Sequence, residues 1–175
     1  MNQVAQKLQI EESLEHEISL VPFDKVPLIW KKVEKYLKKS AGRSGGRTRI
    51  EDIYYELINN KTNLWIIFEK ESDEIIGVQI TLFNTYPTGK KMLNLEHTAG
   101  INMQDWVEKG IDVITQFAKD TECEGLEGIG RHGQWNWVKN KKGWKKPATF
   151  YEYIFEENKW ESLKAEEVAD QQKQQ

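Results

Sequence analysis

Asn63-Leu64-Trp65-Ile66-Ile67-Phe68, a turn at Ser72-Asp73, and then Ile75-Ile76-Gly77-Val78-Gln79-Ile80-Thr81-Leu82-Phe83 decide the fold. Two apolar runs of strand length, parted by turn-forming residues, read as an antiparallel pair. Side chains alternate along a strand, so Trp65 and Ile67 are expected opposite Leu64, Ile66 and Phe68. On the second run Ile76, Val78, Ile80 and Leu82 are expected on one face. Tyr86-Pro87-Thr88-Gly89 is a further turn, and Met92 to His97 is a third strand on which Leu93 and Leu95 share a face.

Helical periodicity brackets these strands. Upstream, Ile18 to Val21 is a short strand, and Asp24 is placed to cap a helix with Pro27 in its first turn. Val26, Ile29, Trp30, Val33, Tyr36 and Leu37 recur at the spacing of one helix face. The glycine-rich segment Ser40 to Arg47 breaks that helix. Thr48 and Glu51 form a T-x-x-E capping box for a second helix with inner face Ile50, Ile53, Tyr54, Leu57 and Ile58, ended by Asn59 and Asn60. Downstream, Asn102 caps a third helix with Asp105 three residues on and the stripe Val107, Ile111, Ile114, Phe117, Ala118. Gly125 to Gly130 is a short strand, Trp135 to Lys142 a short helix stopped by Gly143, and Thr149 to Phe155 a final strand.

This order predicts an α/β (α+β) domain with a central twisted, mixed sheet and helices on both faces. The boundaries are a polar N-terminal arm at 1–17, the domain at 18–155, and a polar C-terminal tail at 156–175. A chain of 175 residues suits one domain. With 38% hydrophobic and 30% charged residues it reads as globular with a heavily solvated surface. The net charge of -3 carries no general bias toward nucleic acid or membrane. No apolar run spans a bilayer, and the first residues are polar and acidic, so the expectation is a cytoplasmic protein. The lone Cys123 lacks a disulfide partner and reads as a small core residue. His16, His97 and His132 are scattered, so no metal site is expected.

The order of elements resembles the GNAT superfamily of acyl-CoA-dependent N-acyltransferases. The run Asn63 to Phe68, the turn, and Ile75-Ile76-Gly77-Val78 resemble that family's second and third strands. Lys142-Gly143-Trp144 resembles the lysine-leucine-glycine-phenylalanine text that closes its fourth helix. The tryptophan content resembles small acyltransferase-like proteins of tailed phages. The resemblance spans about Ile18 to Phe155. It implies that Glu96 lies where some members place a general base. It also implies that Gly100, Ile101 and Asn102 lie where backbone amides at a helix N-terminus hold the coenzyme A pyrophosphate.

The chain departs from that pattern at the phosphate turn. His97-Thr98-Ala99-Gly100-Ile101-Asn102-Met103-Gln104-Asp105-Trp106 has a single glycine, and Asp105 puts a negative charge in the first helical turn. Lys139 stands where many members carry a tyrosine general acid. Glu96 and His97, adjacent on a strand, are expected on opposite faces, with His97 on the side of Leu95. From Arg131 to Lys146 the chain holds Arg131, Lys139, Lys141, Lys142, Lys145 and Lys146 with no acidic residue, and Trp135, Trp137 and Trp144 are interleaved. That composition suits an anionic partner, an acidic protein face or nucleic-acid phosphates. The leading expectation is therefore a GNAT-like binding or assembly module without a cofactor, a virion or accessory component in the host cytoplasm. The alternative is an active acetyl-CoA-dependent N-acetyltransferase with Glu96 as base.

Overall fold

The structure is a computed structural model, and it describes residues 16–130 and 132–153. Among the described residues five strands form one sheet in the order β1-β2-β3-β4-β5. They are β1 His16–Val21, β2 Asn63–Glu69, β3 Ile75–Thr85, β4 Lys91–Gly100 and β5 Gly125–Glu127. The first four pair antiparallel, and β5 lies parallel to β4. A parallel neighbour needs a crossover, here supplied by α3 Met103–Asp120. Helices α1 Val26–Ala41 and α2 Ile50–Ile58 cover one face; α3 and the single turn of α4, Trp135–Val138, cover the other. This is the mixed sheet with helices on both faces that the element order predicts.

The hairpin that opened the reading obeys strand alternation. Leu64, Ile66 and Phe68 pack with α1 and α2. Trp65 and Ile67 pack on the α3 side. Trp65 also donates from Nε1 to the buried Thr81 hydroxyl at 3.0 Å. Tyr36 of α1 donates to the Ile75 carbonyl at 2.8 Å and ties that helix to β3. Strand β1 begins at His16, two residues inside the segment expected to be an arm.

Two β-bulges correct the face assignments. Ile67 pairs with Gly77 and Phe68 with Ile75, so Ile76 is the extra residue and turns to the α3 side, away from Val78 and Ile80. Ile80 pairs with His97 and Thr81 with Leu95, so Glu96 is the extra residue on β4. Leu95 packs with the α3 group, while His97 reaches Ser40 of α1. His97 therefore does not share the face of Leu95. An extra residue resets the period-2 alternation, and alternation alone cannot place it.

Smaller corrections concern the ends of elements. The α2 cap sits one residue on from Thr48: the Arg49 amide donates to Asp52 Oδ2 at 3.0 Å, and its guanidinium grips the same carboxylate. Helix α1 begins at Val26, and Asp24 lies in the preceding turn. Helix α4 ends at Val138, four residues short of Lys142. Among the described residues Thr149 to Tyr153 are not a strand. Phe155 and the tail lie outside the described residues.

Candidate active site

The Glu96 bulge opens a cleft of about 480 Å³ between α2 and β4. Helix α2 contributes Asp52 and Glu56. An i,i+4 spacing puts them on one side of the helix, next to the buried Ile53 and Leu57. The segment entering β2 contributes Thr62. β4 contributes Glu96 and His97. The bulge thus brings to one cleft two residues that simple alternation sends to opposite faces.

The cleft groups differ in how they are held. Glu96 is exposed, and its Oε1 accepts from Asn94 Nδ2. His97 is half-buried, with Nδ1 3.0 Å from the Ser40 hydroxyl. Burial pushes its imidazole below the ordinary histidine range, against the pull of Glu56, so the ring is neutral near pH 7. Thr62 is only 5% exposed, and its hydroxyl has no hydrogen-bond partner among the described residues.

The polar character continues along the sheet. On β5, Glu127 accepts from Asn84 Nδ2 at 2.7 Å and from the Tyr86 hydroxyl at 2.9 Å. Hydrogen bonding to that carboxylate, with lesser help from burial and charge, pushes the Tyr86 phenol up. Beyond this point β4 and β5 share no ladder, because pairing ends at Asn94 with Glu127.

The turn into α3 is built differently. Gly77 and Gly100 face each other across the sheet beneath the indole of Trp106. A Cβ on Gly77 would lie 2.6 Å from that ring, and one on Gly100 would lie 2.7 Å from the Ile76 carbonyl oxygen. Of the residues expected to hold a pyrophosphate, Ile101 has its amide committed to the Ile76 carbonyl at 2.9 Å. Asn102 occupies the cap position with φ +46°, and its side chain makes no cap hydrogen bond. The Asp105 amide bonds the Asn102 carbonyl at 3.0 Å. The amides of Asn102, Met103 and Gln104 remain for an anion at the helix N-terminus, with the exposed Asp105 carboxylate in the same turn.

The basic segment divides into three. Lys139, Lys142, Lys145 and Lys146 are exposed. Trp135, Trp137 and Trp144 are half-buried and pack with Trp106, Val107 and Ile111, so these rings serve the core. Lys141 turns back onto α3, 2.9 Å from Asp112 and 3.3 Å from Glu108. Burial lowers its ammonium's pKa, but the hydrogen bonds to those carboxylates more than offset this and hold it above the ordinary lysine range. Arg131 lies outside the described residues. Among the described residues no three metal-ligating side chains gather closely enough to hold an ion, and no helix is long and apolar enough to cross a membrane.

Sequence reasoning missed Asp52, Glu56 and Thr62. The two acids lie outside the inner face read for α2, and Thr62 lies in no motif. The one legible signal was the i,i+4 acidic pair beside Ile53 and Leu57.

No family model matches the sequence, and no curated protein matches it. Solved structures match the fold. An aminoglycoside acetyltransferase from an uncultured soil metagenomic sample, solved with sisomicin, is 11% identical with a TM-score of 0.61, covering 81% of this chain and 97% of that one. A predicted acetyltransferase from Clostridium acetobutylicum, solved with acetyl-CoA, is 15% identical with a TM-score of 0.56, covering 80% and 96%. Glucosamine-6-phosphate N-acetyltransferase from Arabidopsis thaliana is 12% identical with a TM-score of 0.56, covering 81% and 99%. The chain has the GNAT acetyltransferase fold, and identities this low establish the fold alone.

Proposed function

We propose that this chain transfers an acyl group from an acyl-CoA thioester to a small amine bound in the cleft beside Glu96. The observation that carries this reading is the bulge on β4. It sets a carboxylate and a neutral imidazole in one cleft, next to the point where β4 and β5 stop pairing. An extra residue in a strand has no ladder partner, so its backbone amide is available to a carbonyl oxygen. The likeness to acetyltransferase structures agrees with this reading.

An acyl-CoA fits the α3 turn in part. The amides of Asn102, Met103 and Gln104 and the helix dipole suit a pyrophosphate. Asp105 opposes it, so the expected affinity is weak. When bound, the coenzyme supplies the thioester carbonyl. The chain's own residues do the rest. Glu96 would accept the proton that the amine must lose, directly or through water, as the new C–N bond replaces the thioester C–S bond, and the leaving thiolate would take its proton from solvent. His97, held by Ser40 and uncharged, does not repel an incoming ammonium.

The test is an acetyl-transfer assay with a panel of amines, together with calorimetric titration by acetyl-CoA. Glu96→Gln is expected to lower kcat by about 10²–10⁴ with little change in KM. Asp105→Asn is expected to tighten acetyl-CoA binding. No turnover on any amine, with no acetyl-CoA binding even in Asp105→Asn, would reject the transferase reading.

The α3 turn also favours a second reading. Ile101's committed amide and the Asp105 charge fit a GNAT-like domain that has lost coenzyme binding. In that case the exposed Lys139, Lys142, Lys145 and Lys146 face an anionic partner, an acidic protein of an assembly or nucleic-acid phosphates. A phage virion or accessory role in the host cytoplasm belongs to this reading. Its mark is partner capture that falls as salt rises and is lost when Lys142, Lys145 and Lys146 become glutamine.

A further inference from the structure

We infer that residues 145–153 are a strap latched by Arg47 at the rim of the cleft, and that release of the latch widens the way in. This rests on the cleft being the reaction site proposed above and adds its gate. Trp144 packs with the α3 group on one face of the sheet. Phe150 and Glu152 meet Arg47, which lies in the connection between α1 and α2 on the other face. The chain therefore changes faces within the five residues between Trp144 and Phe150. Every residue from Lys145 to Tyr153 is exposed and none lies in a helix or strand. Surface contacts, not core burial, hold the segment where it is.

The latch sits on a prepared support. The Thr48 amide donates to Ser44 Oγ at 3.1 Å and closes the loop. Gly45 and Gly46 turn it with φ of +67° and +78°. A Cβ on Gly45 would lie 2.9 Å from Arg47 Nη1, so glycine there leaves room for the guanidinium to fold back. Nη1 then donates to the Ser44 carbonyl at 2.7 Å. Nη2 pairs with Glu152, and the guanidinium carbon stands 5.3 Å from the centre of the Phe150 ring. Arg47 itself lines the cleft, together with Thr48 and Leu82. One side chain thus joins the cleft, its own loop and the strap. The paired side chains are 49% and 41% exposed. An exposed ion pair and one ring contact favour closure by about tenfold together, which holds the strap and still lets it open.

The experiment places a reporter thiol in the cleft of the full chain by Leu82→Cys, at a half-buried position. Iodoacetamide, a neutral reagent, is added, and labelling at each cysteine is followed by mass spectrometry. Cys123, which packs on the α3 side, is the internal reference. Phe150→Ala and Glu152→Gln are each expected to speed labelling at position 82 by about threefold, and Arg47→Gln by about tenfold. Labelling of Cys123 is expected to stay unchanged. Adding Glu152→Gln to Arg47→Gln is expected to change nothing further, because the pair is already broken. Charge alone would act differently: removing Arg47 raises the reporter thiol's pKa and slows it, removing Glu152 does the opposite, and Phe150→Ala changes no charge. Only strap release speeds all three.

The inference is overturned if Phe150→Ala or Glu152→Gln leaves the reporter rate unchanged, if Arg47→Gln and Glu152→Gln shift it in opposite directions, or if Cys123 accelerates equally, the mark of a loosened domain. No acyl donor enters this measurement, so the two readings fail separately. Strap-dependent labelling without transfer to any amine would keep the strap and remove the transferase. Transfer with strap-independent labelling would do the reverse.

Discussion

Residues 94–97 and 98–106 are consecutive along the chain, yet they solve opposite problems. The first stretch holds the Glu96 bulge, with an exposed carboxylate, a neutral histidine and an open cleft on the α2 side. The second turns the chain into α3 beneath a fully packed indole. There Trp106 fills the space left by Gly77 and Gly100, and its Nε1 donates to the Ile101 carbonyl at 2.9 Å. One stretch gives up ladder regularity and gains polar groups free to meet a ligand. The other commits the Ile101 amide and the Trp106 indole N–H to its own packing and keeps only the amides at the start of α3 for an anion. Chemistry and rigidity are thus divided along a single strand, and the packed half fixes the height at which the open half presents its side chains.

The largest expected effect breaks the packed half. Trp106→Ala removes the indole that Gly77 and Gly100 accommodate and is expected to cost about 3–5 kcal/mol in chemical denaturation. A loss below about 1 kcal/mol would mean that the ring is not the keystone of this turn. Gly100→Ala attacks the same contact from below. Its Cβ would meet the Ile76 carbonyl and the Gly77 backbone as well as the ring, so about 1–3 kcal/mol is expected to be lost. A neutral result would show that the two strands have room to part.

The open half is sharpened by pH. Burial holds His97 below its unfolded value of 6.5, so between the two values the unfolded chain binds more protons and stability rises with pH. The contribution is whole above the unfolded value and is lost as pH falls through the folded one. From about pH 7.5 to about pH 5.5 the wild type is expected to lose more of its denaturation midpoint than His97→Gln. Parallel loss in both proteins would place the titrating group elsewhere.

The smallest effect lies outside both stretches. Lys141 pairs with Asp112 and Glu108, whose side chains are largely exposed, so Lys141→Gln is expected to cost about 1 kcal/mol or less. That contribution is present below the unfolded lysine value and lost as pH rises through the raised folded one. High salt should erase it. A larger, salt-independent loss would show that the lysine stem, rather than its charge, holds the α4 turn on α3.

Much of the architecture was legible because it rests on local rules. The apolar stripe from Val26 to Leu37 and the alternation of Leu64 to Phe68 each name the face that must be buried, and burial follows. Glu96 and the residues around Gly100 were legible as candidates through their place relative to those elements. Their setting was not, because Ile76 and Glu96 are bulge residues and nothing in their own identity announces an extra residue. The basic run misled in a related way. It holds no acid of its own, but Asp112 and Glu108 reach Lys141 from a helix far earlier in the chain.

The sequence by itself determined the order of elements from β1 to α4, the faces of the regular stretches and the single-sheet plan, since periodicity and turn chemistry act over a few residues. Tertiary structure alone decided that Asp52, Glu56, Thr62, Glu96 and His97 share a cleft. These residues come from three elements, and their meeting depends on a one-residue shift in strand register. Such a shift is settled by how both faces of the sheet pack at once, through Trp106 and α3 on one side and α1 and α2 on the other.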